Sequence, residues 1–377
     1  MVDVESLLTE LVRIDSVNPD LVPGAAGERA IALFVADWAG RNGLDVEVIE
    51  PVPGRHSVVA VARGSGSGRS LMLNGHLDTV GVAGMDDPFG ARVDAGRLYG
   101  RGAYDMKGGL AACLWAAVRA KERRLRGDVI VACVADEEVA SLGIRAVLAS
   151  WGADAAIVTE PTGLDVCVAH KGFVWLEVQV QGRAAHGSRP DLGVDAIAKA
   201  GQILTGVQDL DRALREGTKH PLLGTGSVHV SRIDGGQEMS SYPERCTIGI
   251  ERRIVPGETV EGVEAELQAI LDSAASRDPA FHAERRTILA RDPFAVPLDA
   301  PIVGLLRQHA AHATGQERRV YGDTPWMDAA LIVAAGIPTV VFGPGGAGAH
   351  AAEEWADLES VRLCADVLLS VSAEFCA

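Results

Sequence analysis

Five short segments carry side chains suited to holding divalent cations and moving a proton. In LMLNGHLDTV, His76 and Asp78 directly follow an apolar, strand-like run. GRLYGRGAYDMKGG sets Asp105 in a glycine-rich bend that opens a helix, and VIVACVADEEVASLG places Glu137 and Glu138 straight after the most apolar run in the chain. Glu160 follows a strand-like run and precedes Pro161 in AIVTEPT, and His350 lies beyond a strand and a glycine loop in TVVFGPGGAGAHAAEEW. Ligands collect beyond the carboxyl ends of strands in open α/β sheets, so these segments are expected to converge. Several carboxylates brought together as bare anions would raise one another's pKa steeply. Bound divalent cations remove that cost, and mixed His and Asp/Glu ligands suit zinc, with cobalt or manganese able to use the same set. One His and one terminal carboxylate per ion, with a carboxylate shared between them, makes a two-metal site that activates a water and polarises a carbonyl. A remaining carboxylate serves as general base.

Taken singly, each segment has an ordinary reading. A lone His after a strand is usually a hydrogen-bonded turn residue, the acidic run Asp136–Glu138 suits a solvated helix start, and Asp105 suits an N-cap. GPGGAGAH resembles a phosphate cradle but lacks the Lys-Ser/Thr ending of a P-loop. One metal site accounts for all five together, whereas the ordinary readings must hold independently.

The elements that must position these residues alternate. Ile31, Phe34, Val35 and Trp38 mark a helix face, Leu44 to Ile49 a strand, Met106 to Arg124 an alanine-rich helix, and Val129 to Ala135 a strand buried on both faces. This β/α alternation predicts an α/β layered domain. The pattern changes near Lys171. Phe173 to Val180 alternates apolar and polar, a helix is expected from about Val194 to Leu204, strands at Ser227 to Ile233 and Cys246 to Ile254, and a helix at Val260 to Leu271. That order predicts an α+β domain of ferredoxin-like type inserted into the first. The expected boundaries are 1–171 and 288–377 for the α/β catalytic domain and 172–287 for the insert.

With 377 residues, 47% of them hydrophobic, the chain is ample for two cored domains. Its net charge of −16 disfavours nucleic acid and anionic membrane surfaces as partners. No uncharged apolar stretch is long enough for a membrane span. The start, MVDVESLLTELVRID, is acidic and amphipathic, so no secretory signal is expected. Six scattered cysteines without a C-x-x-C pair read as free core thiols, which implies a reducing, cytoplasmic setting.

The strings GHLDTV, GRGAYDMKGG, ADEE, TEPT, AAHGSRPDLGVDAI, GGQEMSSYPERC, ERRIVPGET and GPGGAGAH, in this order, resemble the M20 metallopeptidase family. That family includes acetylornithine deacetylases, succinyl-diaminopimelate desuccinylases, aminoacylase-1 and glutamate carboxypeptidases. The resemblance implies a zinc-peptidase-like catalytic domain with a lid and dimerisation insert. It also implies two Zn2+ ions, with His76 on one, His350 on the other, Asp105 bridging them ahead of a cis peptide to Met106, and Glu138 and Glu160 completing the two shells. Glu137 would be general base and then acid, and Asp78 would hold the imidazole of His76. His186 would reach into the partner subunit's site of a homodimer and stabilise an oxyanion, and Arg253 would bind a substrate carboxylate. The implied activity is hydrolysis of the amide bond of an N-acyl-L-amino acid by a metal-activated water. The runner-up is a dipeptidase, aminopeptidase or carboxypeptidase on small peptides. A non-catalytic scaffold is disfavoured because every metal position carries a competent ligand. One departure stands out: many members have Asn where this chain has Ser240, at a substrate-contacting position. Trp326 and Asp328 lie in a segment that often borders the family's pocket.

Overall fold

Four apolar runs become neighbouring parallel strands: Val129–Val134, Leu71–His76, Ala155–Val158 and Thr339–Val341. The first three are buried at every position, as expected for strands covered on both faces. The structure is a computed structural model that describes residues 3–377. The sheet continues past Val129–Val134 through the antiparallel strands Arg55–Ala62 and Asp45–Val52, and past Thr339–Val341 to the antiparallel strand Val166–His170. The central sheet is therefore mixed, with a parallel middle.

The register fixes what the shared carboxyl edge presents. His76 pairs with Val134, and Val158 pairs with both Asn74 and Val341. The residues following these strands thus leave the sheet together. Behind that edge lies the helix Gly108–Glu122, eleven of whose fifteen residues are buried, packed against the helix Leu358–Phe375. Its alanines and glycines allow close approach. A Cβ added at Gly109 would lie 2.1 Å from the carbonyl oxygen of Thr159, so the helix start rests on the turn that delivers Glu160.

The chain divides into two compact units. The first runs through Val168 and takes in Val296–Tyr321 and Met327–Ala377, and the second comprises Ala169–Ala295 with Gly322–Trp326. The second has the order strand, helix, strand, strand, helix, strand. Its antiparallel sheet runs Ser227–Gly235, Arg245–Ile254, Gly172–Gln181, His282–Arg291. Val174, Leu176, Val178 and Val180 turn inward onto Ile203, Val207, Leu267 and Leu271 of the helices. The helix expected to stop near Leu204 spans Ala196–Glu216. Its second half reads as polar, yet Leu210 and Leu214 continue the stripe begun by Ile203 and Val207 and pack on the same core. The expected boundary at 287 falls inside the strand His282–Arg291.

All six cysteines are buried, and none is in a disulfide. Among the described residues, no helix is long and apolar enough to cross a membrane.

Candidate metal centre

His76 ends its strand and is 1% exposed. Its Nδ1 lies 2.8 Å from the main-chain oxygen of Asp78, so the neutral ring carries its proton there and turns Nε2 outward as a ligand atom. Asp105 lies in the bend Ala103–Lys107, and its peptide bond to Met106 is cis. The following helix starts at Gly108 without a side-chain cap, so the Asp105 carboxylate is available elsewhere.

The two oxygens of Asp105 face different histidines. Oδ1 is 3.2 Å from Nε2 of His76, and Oδ2 is 3.4 Å from Nε2 of His350. Glu160 Oε1 is 3.7 Å from the first imidazole, and Glu138 Oε2 is 3.2 Å from the second. Each imidazole therefore meets one oxygen of Asp105 and one further carboxylate. Such separations resemble the edge of roughly 3.3 Å expected between donors about 2.0 Å from a tetrahedral zinc. Ligand atoms of His76, Asp105 and Glu138 lie within 4.8 Å of one another, as do those of His76, Glu137 and Glu160. Glu138 Oε1 is buried with no hydrogen-bond partner, a costly arrangement that a cation would relieve. The donor set and this orphaned oxygen fit divalent metal ions.

The electrostatics without a metal point the same way. Burial, reinforced by the charges of Glu160 and Asp328, pushes the Glu137 carboxyl well above its usual range. Burial also pushes Glu160 up to about 8, against the opposing influence of His76. His350, half exposed, is raised to about 10 by its hydrogen bonds to Asp105 and Glu138. Burial would lower His76, but Asp105 and the surrounding carboxylates outweigh it and raise it well above the usual imidazole value. Asp105, between two imidazoles, is held low despite its burial. The gathered carboxylates thus favour positive charge among them.

Asp78 meets the His76 ring through its main chain. Its main-chain oxygen, rather than its carboxylate, holds the His76 ring; the carboxylate stays 3.8 Å from Nδ1. Instead, Oδ1 accepts the N–H of Glu137 at 3.1 Å and Oδ2 that of Glu138 at 3.2 Å. Asp78 anchors the turn carrying both glutamates. Asn18 Nδ2 bridges Asp78, at 2.8 Å, to Asp136, at 3.0 Å. Arg55 binds Asp136 at 2.7 Å and takes Glu28 through two nitrogens. Asp136 sits in the left-handed region at φ 67° with its side chain pinned by these partners. The sequence gives no role to Asn18, Glu28 or Arg55, and Asp136, which suits a solvated helix start, is instead fully buried. An arginine opening the apolar strand RHSVVAVA was the one visible signal.

The remaining expected residues belong to the second unit. His186 is exposed, its Nδ1 2.8 Å from Ser188 Oγ. Ser240 is exposed, and its carbonyl accepts the N–H of Gly187 at 2.7 Å. Arg253 lies over Phe173, donates to Glu251 at 3.2 Å, and bonds the Thr324 carbonyl. Trp326 donates to the Asp292 carbonyl within that unit, whereas Asp328 is buried in the first, its charge acting on Glu137 and Glu160.

Residues 72–374 match the model of peptidase family M20/M25/M40. An acetylornithine deacetylase of Myxococcus xanthus is 34% identical, over 99% of this chain and 97% of its own. A deformylase of Halalkalibacterium halodurans acting on N-formyl-4-amino-5-aminomethyl-2-methylpyrimidine is 28% identical, over 98% and 94%. Among solved structures, an aminopeptidase of Bacillus cereus aligns with TM-score 0.82 at 19% identity, over 99% of this chain and 98% of that one. A dinuclear metal-binding M20 peptidase of Bacillus subtilis aligns with TM-score 0.77 at 17% identity, over 99% and 97%.

Proposed function

Since the chain belongs to the M20/M25/M40 peptidase family of metal-dependent amide hydrolases, we propose that it is a di-zinc deacylase cleaving the amide bond of N-acyl-L-amino acids. The observation that carries the reading is the pair of His–carboxylate sets sharing the two oxygens of Asp105, with Glu137 beside them. His76, Asp105 and Glu160 would hold one ion, and His350, Asp105 and Glu138 the other. When bound, such ions lower the pKa of water and polarise the scissile carbonyl. Glu137 takes the proton of the attacking water on its carboxylate and returns it to the leaving nitrogen. Asp78 keeps the Glu137 carboxylate in place by holding its main-chain N–H.

Two relatives that remove acyl or formyl groups, one of them matched over 99% of this chain, support deacylation over peptide cleavage. Arg253 supplies a planar guanidinium for a substrate carboxylate, sharing its five donors with Glu251 and Thr324. A homodimer in which His186 serves the other copy's site completes the reading; sedimentation of active protein at twice the subunit mass is expected, and a fully active monomer would remove that role. The six buried thiols support a reducing, cytoplasmic setting.

The test is to strip metal, restore zinc, and follow amine release from N-acetyl, N-succinyl and longer N-acyl amino acids alongside dipeptides. Zinc-dependent release from the acylated amino acids is expected. Cleavage of dipeptides alone would place the chain with the peptidases, and absence of bound metal would favour a scaffold.

A further inference from the structure

A buried ion pair ties together two segments of the metal centre that lie far apart in the chain. Glu354 is 1% and Arg101 2% exposed, and Nη1 of Arg101 is 2.5 Å from Oε2 of Glu354. The same carboxylate accepts three main-chain N–H groups. Gly102 reaches Oε2 at 3.1 Å, and Tyr104 and Asp105 reach Oε1 at 3.0 Å each. Arg101 in turn donates through Nη2 to the carbonyl of Ala351, next to His350, at 2.9 Å, and through Nε to Gly81 at 3.0 Å. The main-chain oxygen of Glu354 accepts the N–H of Gly100, and Trp355 pairs with Tyr99. The backbone at Asp105 and the backbone beside His350 are therefore fastened to one buried unit.

We propose that Glu354 is a positioning residue that sets Asp105 against His350, and through them the affinity of the ion held by His350, Asp105 and Glu138. The inference rests on the two-metal reading above. His350 needs such a brace more than His76 does. His76 ends a fully buried strand, whereas His350 lies half exposed beyond a glycine loop at φ 61°. Partners that orient metal ligands typically affect affinity ten- to hundredfold. Glu354→Gln keeps the size of the side chain but presents an amide where two or more N–H donors converge, so the brace opens.

The experiment titrates zinc into metal-free protein against a competing chelator. Glu354→Gln is expected to weaken one of the two ions ten- to hundredfold. In a His350→Ala background, which already loses that ion, the same change should add little. Glu266→Gln takes a carboxylate from the buried Arg252 of the other unit, and it should lower Tm without altering either zinc affinity. Should Glu354→Gln not fold, Arg101→Lys decides the matter: it keeps the charge beside Glu354 but loses the fork to Ala351, and the same ion should weaken. Wild-type affinities in the folded variant would overturn this inference alone, as would an equal loss in Glu266→Gln. A wild-type protein that bound no ion would overturn the two-metal reading with it.

Discussion

Glu137→Gln is expected to keep both divalent ions and to lose about 10² to 10⁴ in kcat, with KM changed only a few-fold. Glutamine fills the same space, and the main-chain N–H of residue 137 still reaches Asp78 Oδ1. The variant therefore removes a proton carrier rather than a structural contact. The outcome also decides between two roles, because ligand atoms of Glu137, His76 and Glu160 lie within reach of one ion. Two retained ions with lost turnover identify the general base. Loss of an ion, measured by metal analysis after gel filtration, would make Glu137 a ligand instead. Its high carboxyl pKa in the metal-free site, due first to burial and then to Glu160 and Asp328, shows how closely the carboxylates crowd.

The second large effect concerns pH. A metal requires neutral imidazoles and ionised carboxylates. In the metal-free protein, Glu160 titrates near 8, His350 near 10, and His76 well above the ordinary imidazole value. Glu160 and His350 therefore carry protons at pH 7 that metal binding must displace, and the upward shift of His76 acts in the same direction. Affinity should therefore rise with pH, by up to about tenfold per pH unit for each proton released. The slope should ease above about pH 8, where Glu160 is already ionised. Calorimetry in two buffers of different ionisation heat should count about two or three protons released as both ions bind. Release of none would mean that these groups do not hold the metal.

The gathering of His76, Glu138, Glu160 and His350 was legible because each lies beyond an apolar run without alternation, and such runs become parallel strands sharing one carboxyl edge. Asp105 needed its glycine-rich bend and the family resemblance. What could not be read was how each residue is held. The carboxylate of Asp78 holds the Glu137–Glu138 turn, while its main-chain oxygen holds His76, and nothing in GHLDTV separates the two. Glu354 and Arg101 stand 253 residues apart, and Asn18 and Asp136 stand 118 apart. In sequence they are ordinary surface residue types, and only burial gives them weight. The helix Ala196–Glu216 outran its expected end because Leu210 and Leu214, though set among polar residues in sequence, continue the core stripe every three to four residues.

The two-metal assignment is tested most directly by anomalous diffraction at the zinc edge from crystals of zinc-reconstituted protein. Two peaks are expected, one among His76, Asp105 and Glu160 and one among His350, Asp105 and Glu138, with Glu137 outside both sets. A single peak, or a peak ligated by Glu137, would contradict it.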